Sequence, residues 1–446
     1  MVGQTGRILA LLVAGSLAVG GCSQAASSPA ASAPAATAAP AATAPAATAA
    51  MASEPAATAA AAGCTTGAAA GTEIPEIEEG KFNVAMVLIG PHDDGGWSQA
   101  HYEGLQYVCE NVENTHVAYI ENVPEGTDSE QTFRSLARKG FNFVIGTSFG
   151  YMDPMETVAG EFPDTTFLHL TGYKSNGKNF GNFFGAMEDF KYLAGMLAGS
   201  RAKADGNPKI GYMATFPIPE ELRLGNAIMR GVKVTCPECT MDVVFINTWH
   251  DPIKEKAGAT ALFDAGAQVV FTGADTGANA DVAQEKGKWG VTYDHPASCK
   301  VDACLTAPYW IWGPEYARIA ESVKAKTYTA GYEYFDANSK AMGLLGFMDG
   351  QELRPGVKDL PAADLALVKD TLAKMLTSTS EKPPRFDTVF AGPIKDNTGK
   401  QLIAAGEKLV QPDLDQFPPG APGAECKTCM YWWNDGITAE LPPLGN

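Results

Sequence analysis

Aromatic and acidic residues recur directly after short apolar runs. Phe82–Ile89 is followed by Gly90-Pro-His-Asp-Asp94-Gly-Gly-Trp97-Ser98, and Phe141–Ile145 by Gly146-Thr-Ser-Phe149-Gly-Tyr151-Met-Asp153. Thr166–Leu170 leads into Thr171-Gly-Tyr173-Lys174. Further on stand Asn247-Thr-Trp249-His-Asp251-Pro252, Thr272-Gly-Ala-Asp275 and Tyr293-Asp294. Aromatic faces stack on a flat ring. Carboxylates accept hydrogen bonds from ring N–H, amino and sugar hydroxyl groups. These segments hold the aromatics Trp97, Phe149, Tyr151, Tyr173 and Trp249 and the acids Asp94, Asp275 and Asp294. Plainer roles compete with these. Asp94 and Asp275 suit helix caps, Trp97 and Phe149 suit packing on a sheet, and Trp249 suits a hinge.

Motifs for covalent or metal chemistry are lacking. The six histidines are scattered without metal spacing, so no metal is expected. There is no Gly-x-Ser-x-Gly elbow and no Gly-x4-Gly-Lys-Ser/Thr loop, so neither acyl transfer nor ATP hydrolysis by this chain is expected. In Gly90–Gly96 a proline and two acids crowd the place where a dinucleotide pyrophosphate would sit. The expectation is a binding protein without cofactor, and not an enzyme.

Positioning these residues falls to alternating strands and helices. Apolar runs at 82–89, 117–120, 141–145 and 166–170 read as strands, separated by helical stretches at 98–111, 128–138 and 154–161. The rhythm restarts after Pro208, with strands at 209–213, 241–246, 268–271 and 289–293 and helices at 219–234, 252–264 and 278–286. A helix at 316–324 and a hairpin within 388–407 follow. Parallel neighbours need crossover helices, so the pattern predicts an α/β fold of two lobes with doubly wound parallel sheets. In such sheets ligands bind beyond the carboxyl ends of the strands.

The chain has 446 residues, with 33 Lys+Arg against 51 Asp+Glu and a net charge of −18. That balance opposes nucleic-acid binding. Arg7 and the apolar run Ile8–Val19 read as a signal peptide, ending in Val19-Gly-Gly-Cys22. Small residues before a cysteine predict lipidation at Cys22 and an anchor on the extracytoplasmic face of the cell membrane. Residues 23–80, rich in Ala, Pro and Thr, read as a disordered tether. Lobe 1 is expected over 81–207 plus about 295–345, and lobe 2 over 208–294 plus about 346–446.

Six cysteines fall in close pairs: Cys236 and Cys239, Cys299 and Cys304, Cys426 and Cys429. Paired thiolates also suit zinc or a redox role. An exported chain meets oxidising conditions, which favours local disulfides.

The strand-end segments, together with Phe390-Ala-Gly-Pro-Ile-Lys395, resemble the basic membrane protein family of lipoprotein substrate-binding components of ABC importers. The resemblance runs from about Lys81 to Ile437. It implies a type I periplasmic-binding fold, two Rossmann-like lobes joined by a hinge. It also implies a purine nucleoside or nucleobase as solute, and a permease with its ATPase subunits as partners. Asp94, Trp97 and Phe149 are then implied on the base and Asp275 on sugar or base, and Tyr151, Tyr173, Trp249 and Asp294 are implied as further ligand contacts by their place in the matching motifs. The alternatives are a different small solute in the same fold, or a nucleoside-cleaving enzyme.

Overall fold

The computed structural model describes residues 65–69, 73–378, 389–410, 413–414 and 429–442. Cys22, Cys64, Cys426 and most of the expected tether lie outside them.

The first sheet begins with β1 (Thr65–Ala69) and β2 (Phe82–Val87), then α1 (Trp97–Asn111), β3 (Thr115–Ile120) and α2 (Thr127–Lys139). It continues through β4 (Phe143–Gly146), α3 (Met152–Glu161), β5 (Thr166–Leu170) and β6 (Phe180–Gly185). Helix α4 (Met187–Ala204) leads to the second sheet. There β7 (Lys209–Ala214), α5 (Pro219–Thr235), β8 (Thr240–Phe245) and α6 (Pro252–Asp264) precede β9 (Val269–Thr272), α7 (Ala278–Lys286), β10 (Trp289–Val291) and β11 (Cys304–Thr306). The chain returns through β12 (Pro308–Trp310) and α8 (Gly313–Lys324) to β13 (Tyr332–Phe335). Last come β14 (Met342–Leu344), α9 (Pro355–Lys358), α10 (Ala362–Leu376), β15 (Ile394–Lys395) and β16 (Gln401–Ile403).

The first sheet has the order β1-β3-β2-β4-β5-β6-β13 and the second β11-β10-β9-β7-β8. Every pairing in both is parallel. Strands buried on both faces need continuous apolar runs, and β3 and β4 are buried at every position. The order reverses at β2/β4 in one sheet and at β7/β9 in the other, which sets two switch points.

Three features differ from the sequence reading. The stretch 23–80 is not all tether, because Thr65–Ala69 pairs in register with His116–Ile120 of β3. Main-chain groups suffice for an added edge strand, whatever its composition. Downstream, Ile74 and Ile77 pack on the core, and Asn83 ties down this stretch through Glu78 N–H and its carbonyl. The second difference is β11, which extends the second sheet past 294, so the chain re-enters the first sheet only at Tyr332. The third is the hairpin, which shrinks to β15 and β16 around an Asp396 turn.

Helix α4 is buried over Met187–Ala202 and packs on α5 with backbones nearly touching. A Cβ on Gly231 would lie 1.9 Å from the Tyr192 carbonyl oxygen, so only glycine permits the approach. Cys236–Cys239 and Cys299–Cys304 are disulfides with Cα separations of 5.4 and 5.5 Å. Cys109 and Cys429 are disulfide-bonded as well.

Candidate functional site

The carboxyl ends of the two sheets face one another across a narrow cavity, closed down to about 20 Å³. Ile89, Trp97, Ser148, Phe149 and Thr171 line it from the first lobe. Glu220, Trp249, Gly273, Asp275, Tyr293 and Asp294 line it from the second. Both switch points contribute: Trp97 and Phe149 follow β2 and β4, and Gly273 and Asp275 follow β9. The lobes touch here, because a Cβ on Gly96 would lie 1.7 Å from the Asp275 carbonyl oxygen. On the rim, His295 Nε2 lies 3.0 Å from Glu103 Oε2, joining the two lobes.

Trp97 opens α1 and is buried, with its indole N–H donating to the Thr147 carbonyl at 2.6 Å. Its edge meets Trp310 and Trp312. Phe149 sits half-buried on the short turn after β4. The Ser148 carbonyl beside it lies 2.8 Å from Nε2 of His169, a ring whose pKa burial pushes down to about 4. Trp249 packs on Phe216 at 4.9 Å between ring centroids.

Of the eight expected contacts, Trp97, Phe149, Trp249, Asp275 and Asp294 line the cavity, and Asp94, Tyr151 and Tyr173 do not. Asp94 is engaged elsewhere. Oδ1 accepts from Gly96 N–H at 2.7 Å and Gln99 N–H at 3.0 Å, and Oδ2 from Ser98 N–H at 2.9 Å. It caps the start of α1 and thereby fixes the turn that carries Trp97. Tyr151 lies below the cavity in the core, edge-on to Phe133, with its hydroxyl donating to the Val123 carbonyl. Tyr173 packs on the same core cluster. Both lie two residues beyond a lining residue, where the chain has already turned inward.

Ile89, Ser148, Thr171, Glu220, Gly273 and Tyr293 were not among the expected contacts. All but Glu220 end or follow a strand, the signal that located the others. Glu220 begins α5, where an acid also fits as a complement to the helix dipole.

Three polar atoms of this lining are buried without a hydrogen-bond partner among the described residues: Asp275 Oδ2, Thr171 Oγ1 and the Tyr293 hydroxyl. Such groups are costly unless something satisfies them. Burial, reinforced by Asp94 and Asp294, holds the Asp275 carboxyl well above its usual range. Burial also raises Asp294, opposed by Lys191 and by the Trp310 indole N–H at 2.9 Å. Lys191 of α4 lies behind the wall, 3.3 Å over the Tyr293 ring, and donates to the Thr272 carbonyl at 2.9 Å. Burial lowers its pKa to about 7. The cavity thus presents aromatic faces and hydrogen-bond acceptors, with its cation set back.

Asp94, His250 and Asp275 bring three possible metal-ligand atoms within 4.8 Å of one another. Both Asp94 oxygens already serve main-chain N–H groups, which leaves this a poor cation cage. Among the described residues no helix is long and apolar enough to cross a membrane.

The architecture is shared with solved solute-binding proteins. An ABC transporter solute-binding protein from Aeropyrum pernix K1 aligns with a TM-score of 0.58 and 15% identity, covering 66% of this chain and 91% of that one. One from Conexibacter woesei gives 0.52 and 21%, covering 68% and 99%. The fold is therefore that of the type I periplasmic solute-binding proteins.

Residues 81–301 match the family model described as ABC transporter substrate-binding protein PnrA-like. A purine-binding protein of Brucella abortus is 31% identical over 334 residues, 74% of this chain and 89% of the relative. A putative ABC transporter glucose-binding protein of Haloferax volcanii is 36% identical, over 60% of this chain and 68% of its own. The chain belongs to the PnrA-like family of ABC transporter substrate-binding proteins. Membership implies a small-molecule solute and a permease with its ATPase.

Proposed function

We propose that this protein is the receptor of an ABC importer for a purine nucleoside or nucleobase. The supporting observation is the lining, in which Trp97, Phe149 and Trp249 stand with polar atoms of Asp275, Thr171 and Tyr293 that have no hydrogen-bond partner among the described residues. A planar heterocycle with N–H and hydroxyl groups would cover the rings and satisfy those atoms together. The Brucella abortus relative's description as purine-binding supports the same reading.

The mechanism is closure. Solute held by both lobes favours the closed form, because only that form contacts it from two sides. The permease then takes it from a lobe pair of defined shape. No bond of the solute is broken. In this reading Cys22 carries the lipid anchor, and the chain works outside the cytoplasm. Lobe 1 then spans the seven-stranded sheet and lobe 2 the five-stranded sheet.

A second reading has one observation in its favour, the glucose-binding description of the Haloferax volcanii relative. Aromatic faces and carboxylates also suit a sugar. Calorimetric titration of solute-stripped protein with adenosine, inosine, guanosine, adenine, riboflavin and glucose separates the two. Saturable one-to-one binding of a purine, with glucose inert, is expected; glucose binding with purines inert refutes the proposal. Cleavage of the glycosidic bond during incubation would point to an enzyme instead.

A further inference from the structure

Trp310 touches both walls of the cavity. It ends β12, on the connection from the second sheet to the first. Its indole N–H donates to Asp294 Oδ1 at 2.9 Å, and its main-chain N–H donates to the Asp294 carbonyl at 3.1 Å. Asp294 has φ of +67°, a left-handed conformation that a non-glycine residue keeps only when its surroundings hold it. The other side of the Trp310 ring system faces the first lobe. It stacks on Trp312 at 4.4 Å, meets Trp97 edge-on at 6.1 Å and lies 5.4 Å from Phe184 at the end of β6.

Packing alone does not demand that hydrogen bond. The neighbouring indole N–H of Trp312 is equally buried and has no hydrogen-bond partner among the described residues. Trp310 differs in that its N–H ends on a carboxylate lining the cavity.

We propose that Trp310 is a positioning residue for solute binding. It aims the Asp294 carboxylate into the cleft and registers it against Trp97 on the facing wall. This rests on the reading of the protein as a solute receptor. The charged groups facing Asp294 are Lys191 of α4, Glu220 of α5, Asp94 after β2 and Asp275 after β9. Only Lys191 favours the carboxylate, so the Trp310 N–H is its second support. Removing a donor from a carboxylate makes it easier to protonate, and its accepting capacity is then lost at higher pH.

Two measurements on the full chain test this. In protein labelled with 15N-tryptophan, the Trp310 indole signal is the one lost in Trp310→Phe. It should move with pH in the wild type and stop doing so in Asp294→Asn. Adenosine affinity is then measured across pH for the wild type, Trp310→Phe, Asp294→Asn and the double variant. Trp310→Phe should bind at least tenfold more weakly at neutral pH, and its acid-side loss of affinity should move to higher pH. It should add no further loss on top of Asp294→Asn. An indole signal indifferent to Asp294→Asn, an unmoved pH profile or losses that multiply would each reduce Trp310 to packing and overturn the proposal. If the wild type binds no purine, the purine reading fails by itself. The indole signal then decides the Trp310–Asp294 link alone.

Discussion

Asp94 and Trp97 stand three residues apart and divide the work of one turn. The acid accepts three main-chain N–H groups, and the indole closes the cavity. Their substitutions should therefore separate. Asp94→Ala removes a cap and should lower stability by about 0.5–2 kcal/mol, read as a shift in the urea midpoint. Trp97→Ala should weaken purine binding by about 1–3 kcal/mol if its ring stacks on the solute, read by calorimetry. Unchanged affinity in Trp97→Ala would remove it from the binding surface. Residue type and strand-end position picked out Trp97, Phe149, Trp249, Asp275 and Asp294, which stand on the cavity wall. They gave no sign that Asp94, Tyr151 and Tyr173 stand off it. Whether a side chain points into a crevice or back into the core depends on a turn of two or three residues, whose direction is set by tertiary packing.

At the scale of elements, the helices of the two βα series follow from apolar periodicity with errors of a few residues, as at α1, α2 and α5. The pattern did not reveal β6, α4 and α10, but the shortest elements that it missed have a common cause. Strand β1 consists of small residues without alternation, and β11 to β14 are three or four residues long, too short for periodicity to register. Such elements exist because a neighbouring edge or crossover accepts their main chain. The start of α1 is also where closure is most sensitive. Gly96 lies against the Asp275 carbonyl with no room for a side chain. Gly96→Val should hold the lobes apart and weaken purine binding at least tenfold. Small-angle scattering should show no contraction on adding solute, and contraction equal to the wild type would contradict this contact.

Across the whole molecule, the chain buries charge behind its cleft. Glu221 of α5 is fully buried, accepts from the Tyr212 hydroxyl at 2.9 Å and the Thr215 N–H at 2.8 Å, and has its pKa raised by burial to about 7. An acid with a raised folded pKa binds its proton more tightly in the folded state. Its stabilising contribution is full below its unfolded value near 4.5, and is lost as pH rises toward about 7. The loss is on the order of 3 kcal/mol at about 1.4 kcal/mol per pKa unit. Urea unfolding followed from pH 4.5 to 7 should therefore fall less steeply with pH in Glu221→Gln than in the wild type. Parallel curves would mean that Glu221 keeps an ordinary pKa.

The central claim is that a flat heterocycle lies between the two lobes, and a crystal structure of the protein grown with adenosine tests it most directly. The account predicts density for the base between the Trp97–Phe149 wall and Trp249, with Asp275 and Asp294 bonded to its edges. An empty cavity, one filled by the protein's own side chains, or adenosine bound elsewhere would contradict it.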